Sequence, residues 1–144
     1  MKESLVIVKV GGKIVEQPET LERLLTDFKA IPGKKLLVHG GGRSATAMAA
    51  RLGIESKMVD GRRITDKDML EVVTMVYGGL VNKNIVAQLQ ARGINAIGLS
   101  GTDCNVMRSD KRPVKDIDYG FVGDPKEVSA GFLASLIEKD IVPV

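Results

Sequence analysis

Apolar and polar positions fall in blocks along this chain, and each block has its own period. Residues 5–10, Leu-Val-Ile-Val-Lys-Val, form a β-rich apolar run closed by Gly11-Gly12, which predicts a buried strand. Leu21, Leu24, Leu25 and Phe28 then recur at helical spacing; Pro18 suits the first turn and Pro32-Gly33 stops it. Residues 36–39 predict a second short strand, closed by Gly40-Gly41-Gly42. A second helix follows, with Ala45, Met48, Ala49 and Leu52 on one face and Gly53 at its end. Strand, glycine turn, helix, twice over, is the pattern of parallel βαβ units and predicts an α/β fold. Right-handed crossovers would place both glycine turns at one edge of the sheet, beyond the strands' carboxyl ends.

The middle of the chain changes style. Residues 56–59 and 62–65 flank Asp60-Gly61, a two-residue hairpin signal. Thr65-x-x-Asp68 reads as a capping box opening a long helix with Met69, Val72, Val73, Val76, Tyr77 and Leu80 on its apolar face. Gly78-Gly79 interrupts the pattern before Ile85, Val86 and Leu89 resume it, so a kinked helix is expected. Residues 96–99 predict another buried strand, followed by a Ser-Gly-Thr-Asp loop. Residues 106–108 and 114–117 suggest a hairpin across Asp110. Pro125 limits 121–128 to an edge strand or a turn. Ser129 then caps a helix bearing Phe132, Leu133, Leu136 and Ile137, and residues 141–144 begin a last strand. Domains more often end on the surface, so the chain is expected to be a piece of something longer.

Composition narrows the picture. The 144 residues fit one domain with its own core. Aromatics make up only 3% with no Trp, so Val, Ile, Leu, Met and Ala must build that core. The 16 glycines exceed the average usage of about 7% and cluster in turns. Lys plus Arg against Asp plus Glu is 21 − 18 = +3, spread along the chain. No basic run is interleaved with aromatics, which argues against nucleic acid, while a small anionic ligand fits. Cys104 is the single cysteine, so no internal disulfide can form. With one Cys and one His, no metal-ligand cluster stands out. The N-terminus, Met1-Lys2-Glu3-Ser4 and a run of six containing Lys9, is too short for a signal peptide or a membrane span. A cytoplasmic protein is expected.

The chemistry concentrates at the two glycine turns. Lys9 lies inside an otherwise apolar strand, where a lysine is costly to bury without an anionic partner. Either it points to solvent from an exposed strand face, or it is a cation held at the strand's carboxyl end for a phosphate or carboxylate. Lys13 reads as a surface residue. In His39-Gly40-Gly41-Gly42, glycines between strand and helix let backbone N–H groups point at an anion, helped by the helix dipole. A tight turn with close helix packing is the plainer alternative. Neither G-x-x-x-x-G-K-[ST] nor a G-x-G-x-x-G after a strand occurs, which removes ordinary P-loop and Rossmann readings. An esterase would need G-x-S-x-G, and Gly98-Leu99-Ser100-Gly101-Thr102 does not supply it. His39, at a strand end, reads as structural. On position alone, Arg62 and Arg63 are exposed hairpin charges.

Taken together, Val8-Lys9-Val10-Gly11-Gly12, Val38-His39-Gly40-Gly41-Gly42 and Gly61-Arg62-Arg63-Ile64-Thr65 resemble the amino acid kinase family. Glu71-Val72-Val73, Val81-Asn82-Lys83, residues 98–103 and Gly120-Phe121-Val122-Gly123 are similar to its branch that phosphorylates N-acetyl-L-glutamate, and the likeness runs over essentially all 144 residues. The resemblance implies a three-layer αβα sandwich with a mostly parallel sheet, here truncated. Residues 1–144 would be the N-terminal acylglutamate-binding domain, with the C-terminal domain that binds MgATP absent from the chain. The implied reaction moves the γ-phosphoryl of ATP, bound with Mg2+, to the side-chain carboxylate of N-acetyl-L-glutamate, a step of arginine biosynthesis. Lys9 would stabilise the transition state and Gly12 would donate its N–H to the phosphoryl group. Gly41 and Gly42 would hold phosphoryl and substrate, and Arg63 would take the substrate's α-carboxylate. Cys104 stands where the family usually has glycine. A homodimer without arginine feedback is implied, because only four residues precede the first strand. The chain alone would be inactive. A non-catalytic amino-acid-binding or regulatory module, and a sister kinase for aspartate or glutamate, stay as alternatives.

Overall fold

A computed structural model describes residues 4–144; the reading at Met1-Lys2-Glu3 lies outside them. Strands β1 (Leu5–Val10) and β2 (Lys34–His39) pair in parallel, with Lys9 opposite Val38 and Val10 opposite His39. Between them run α1 (Gly12–Glu16), one turn that periodicity did not suggest, and α2 (Pro18–Ala30). α2 buries Leu21, Leu25 and Phe28. Its last carbonyls are collected by Lys35, whose Nζ donates to Phe28, Lys29 and Ile31 at 2.9, 3.0 and 2.6 Å. Partial burial lowers the pKa of that ammonium. α3 (Gly42–Arg51) completes the second unit and is packed through Ala45 and Ala49.

One face of the β1–β2 pair carries Val8, Val10 and Leu37 into a single core shared with the helices. The other face is open at Leu5, Ile7 and Val38, which are 45%, 61% and 45% exposed. β1 is therefore not covered on both sides among the described residues, as its apolar run predicted. The odd-numbered positions, Lys9 with them, face solvent.

The hairpin β3 (Met58–Val59) and β4 (Arg62–Arg63) turns through Asp60 and Gly61 at φ 49 and 74, the two positive angles that a two-residue type I′ turn requires. The long helix that follows starts one residue later than expected. Asp66 is its cap, accepting from the Met69 N–H at 2.9 Å. Thr65 instead exchanges backbone hydrogen bonds with Tyr119 and Phe121, which ties it to that loop one residue before the helix cap. The Gly78-Gly79 interruption is no simple kink. α4 (Lys67–Val73) runs into a π-helical segment (Thr74–Val81) and on into α5 (Asn82–Ala91) with right-handed helical angles at both junctions.

β5 (Ala96–Ile97) pairs in parallel with β8 (Val142–Pro143), which lies beside β2. The loop after β5 is closed by the Asp103 carboxylate, which accepts from the Ser100 N–H at 2.5 Å and from its hydroxyl at 2.7 Å. Those bonds hold the Asp103 pKa below the ordinary carboxylate value. Cys104 has φ 50, in the region glycine prefers. β6 (Met107–Lys111) pairs not with 114–117 but with β7 (Gly123–Val128). The register slips between Arg108 and Ser109, and Pro125 sits opposite Ser109, where a missing N–H is tolerated. Ser129 occupies the N-cap position of α6 (Ala130–Glu138), but its side chain makes no capping bond. Among the described residues no helix is long and apolar enough to cross a membrane.

Candidate functional site

Because β1 and β2 run parallel and in register, their glycine turns leave the same edge of the sheet. Gly40 N–H donates to the Val10 carbonyl at 3.0 Å and ties the turns together. A Cβ on Gly12 would stand 3.7 Å from Gly42 N and 3.8 Å from Gly41 N. A Cβ on Gly40 would stand 3.3 Å from Gly12 N, tighter than most side chains tolerate. Backbone nitrogens of both turns therefore gather in a space about one side chain wide.

Partners outside the turn set its peptide planes. The Gly41 carbonyl accepts from Ala45 N–H at 2.9 Å, which starts α3 and leaves the Gly42 N–H among the unpaired donors at that helix's N-terminus. The Gly42 carbonyl accepts from Arg63 Nη2 at 2.7 Å. The same Nη2 reaches the Thr46 hydroxyl at 3.0 Å, while Nη1 donates to the Ser56 hydroxyl and approaches Met69 Sδ at 3.9 Å. Arg63 is thus no loose hairpin charge: it braces the turn. A Cβ on Gly41 would lie 3.5 Å from the Tyr77 ring, and one on Gly42 would lie 3.3 Å from its hydroxyl. Tyr77 forms the floor under the second turn.

Beside this floor is a cleft of about 350 Å³ whose walls include Arg62, Arg63, Tyr77, Arg112, Tyr119 and Val122. Three arginines line it, side chains of the kind that recognise carboxylates and phosphates. Arg112 is paired to Asp124, with Nε and Nη2 at 3.0 and 2.5 Å from the same carboxylate oxygen. That pair raises the Arg112 pKa and lowers that of Asp124. Among the described residues no three His, Cys, Asp or Glu side chains come together as a metal cluster would require.

Of the residues singled out from the sequence, Gly12, Gly41, Gly42 and Arg63 are in mutual reach. Lys9 stands at the same edge, the penultimate residue of β1, exposed on the open face. Lys13 is exposed, as expected. Two residues were missed. Tyr77 was read as one more member of an apolar stripe, and Asn82 as part of a motif without a role. Asn82 is in fact buried, at 2% exposure, and hydrogen-bonded to His39. A buried asparagine within a helical apolar pattern was the available signal.

A parallel sheet whose carboxyl edge gathers glycine N–H groups, with a lysine and arginines nearby, defines an α/β protein with donors of the kind that suit anionic groups. The chain belongs to the amino acid kinase family, whose model matches residues 4–144. It is 74% identical over 144 residues to the acetylglutamate kinase of Phocaeicola vulgatus, covering 100% of this chain and 56% of that protein. It is 73% identical over 142 residues to that of Parabacteroides distasonis, covering 99% of this chain and 56% of that protein. The chain thus spans little more than half the length of these relatives. Among solved structures it resembles smu.665 from Streptococcus mutans, with a TM-score of 0.79 and 25% identity over 96% of this chain and 56% of that one. An N-acetylglutamate synthase from Neisseria gonorrhoeae, complexed with coenzyme A and N-acetyl-glutamate, shares the fold with a TM-score of 0.79 at 19% identity, covering 97% of this chain and 32% of that one.

Proposed function

We propose that the protein carrying this chain transfers the γ-phosphoryl of ATP to the side-chain carboxylate of N-acetyl-L-glutamate, a step of arginine biosynthesis. The identity to acetylglutamate kinases over the full chain supports the substrate. The observation that carries the chemistry is the convergence of the two glycine turns.

The acceptor carboxylate has an ordinary pKa of about 4.3 and is ionised at neutral pH, so no general base is needed. A carboxylate oxygen attacks the γ-phosphorus, the bond to the bridging oxygen breaks, and ADP leaves with that electron pair. The obstacle is repulsion between two anions and the charge on the phosphoryl oxygens in flight, which calls for alignment and preorganised donors. Lys9 and the Gly12 N–H stabilise that charge. The Gly41 and Gly42 N–H groups hold the phosphoryl and the substrate, and glycine lets the backbone come close. Arg63 takes the α-carboxylate. Its Nη groups are engaged with the Gly42 carbonyl and with Ser56 and Thr46, so taking a carboxylate requires its fork to exchange one of these partners.

In this reading residues 1–144 are the acylglutamate-binding domain, and the remainder of the protein binds ATP with Mg2+. The protein works as a cytoplasmic homodimer, and the 144-residue chain alone is inactive. The test is ADP release by the full-length protein with N-acetyl-L-glutamate, N-succinyl-L-glutamate, glutamate or aspartate, with hydroxylamine to trap the acyl phosphate. Acylglutamate-dependent hydroxamate is expected. Turnover only with free glutamate or aspartate would make it a sister kinase. Binding without turnover would make it a regulatory module.

A further inference from the structure

His39, the single histidine of these 144 residues, sits at the root of the second glycine turn and is held at both ring nitrogens. Nδ1 lies 2.8 Å from the Gly40 carbonyl and Nε2 lies 3.0 Å from Asn82 Nδ2. The surroundings of Asn82 decide where the ring proton is. The Lys83 ammonium can only donate, and it stands 3.2 Å from one carboxamide atom, which must therefore be Oδ1. The Val144 carbonyl can only accept, and it stands 3.1 Å from the other atom, which must be Nδ2. That same Nδ2 faces His39 Nε2, so Nε2 is the acceptor and the proton is on Nδ1. The donors run one way, from Lys83 to Asn82 to His39 to the Gly40 carbonyl.

The consequence falls on the next peptide. No peptide bond among the described residues is cis, so the Gly41 N–H points opposite to the Gly40 carbonyl in the plane they share. Holding that carbonyl on the imidazole aims the Gly41 N–H away from the ring. The Gly41 nitrogen itself faces Gly12 across the crevice.

Two other features make the relay possible. A Cβ on Gly98 would collide with Asn82 Oδ1 and stand 2.6 Å from Lys83 Nζ, and the Gly98 carbonyl accepts a second bond from that ammonium at 3.1 Å. The π-helical segment supplies the phase. At about 100° per residue, residues five apart on an α-helix diverge by about 140°. With i→i+5 bonding they return to one side, so Tyr77 reaches Gly41 while Asn82 reaches His39.

We propose that Asn82 is a positioning residue: through His39 it orients the Gly41 N–H that receives the migrating phosphoryl group. This rests on the function proposed above. The test has two arms, both on the full-length protein. In the first, nitrogen-15 NMR of the histidine rings, with His39→Gln to assign the signal, reports the tautomer. A proton on Nδ1, opposite to the preference of free histidine in water, is expected, and a proton on Nε2 overturns the relay. In the second, Asn82→Ala and Gly98→Ala should each return the ring to a mixed tautomer. Each should also lower kcat by on the order of 10²-fold, the cost of a misplacement of about 1 Å, with KM for the acyl amino acid changed less than about threefold. Gly98→Ala touches neither glycine turn and acts by displacing the Asn82 carboxamide and the Lys83 ammonium that donates to it. A mixed tautomer with kcat intact in both variants overturns the positioning role. A wild-type protein inert towards every acyl amino acid would overturn the functional reading instead, and the tautomer would still decide the relay.

Discussion

At the glycine edge, backbone groups are met by partners from far along the chain. Arg63 holds the Gly42 carbonyl 21 residues away, His39 meets Asn82 across 43, and Asn82 meets Val144 across 62. The β6–β7 hairpin is held by its own ladder and by neighbours across it. Arg108 pairs with Glu127 at 3.6 Å and Lys126 with Asp110 at 3.8 Å, all with more than half of the side chain exposed. All five residues of β6 are exposed. Orientation at the edge is set by part-buried groups, each held by more than one partner. Orientation in the hairpin is set by pairs that water can replace. Precision is concentrated where the chemistry needs it.

The sharpest way to break this contrast is at Lys9. Lys9→Ala in the full-length protein should lower kcat by on the order of 10²–10³, the effect of losing one preorganised donor. A kcat within about threefold of wild type would remove Lys9 from the mechanism. Next comes Gly120, which links the loop at 119–121 to Thr65. It has φ 73, and a Cβ there would collide with the Thr65 carbonyl oxygen. Gly120→Ala should cost about 2–3 kcal/mol of stability by urea unfolding, from combined backbone strain and overpacking. An unchanged midpoint would mean that the loop moves aside at no cost. Arg63→Ala should raise KM for the acyl amino acid by about tenfold, the loss of one charge-assisted contact, and leave KM for ATP near wild type. Equal changes in both would contradict its assignment to the carboxylate. Smallest of all, Lys126→Ala in the hairpin should leave the unfolding midpoint unchanged within error. A clear drop would show that the exposed pairs do hold the hairpin.

The parts legible in the sequence are those coded by neighbouring residues. The Asp60-Gly61 turn and the proline at the head of α2 each require a local geometry that few residues supply, and the glycine turns after 10 and 39 let two backbone segments approach closely. What was misread depends on distant partners. Thr65 was expected to cap a helix, but its backbone is tied to the loop at 119–121 and the Asp66 carboxylate caps instead. Residues 114–117 looked like the partner of β6, yet β7 takes that place, because nothing local says which of two apolar stretches a strand will meet. Gly78-Gly79 announced an irregularity without saying that it would be π-helical, a form that here aligns Tyr77 and Asn82 with one turn. In the candidate site, the glycines and Lys9 were legible as turn chemistry and as a misplaced charge. The bracing by Arg63, Tyr77 and Asn82 was not, since each reaches the turn from another part of the fold.

The central claim is that two glycine-lined strand ends and one lysine converge on a phosphoryl group. A crystal structure of the full-length protein with ADP, N-acetyl-L-glutamate and a planar metal fluoride in place of the phosphoryl tests it directly. The account predicts fluorides within about 3 Å of Lys9 Nζ and of the backbone nitrogens of Gly12 and of Gly41 or Gly42. A mimic bound in line between the substrates but out of reach of Lys9 and of both turns would contradict it.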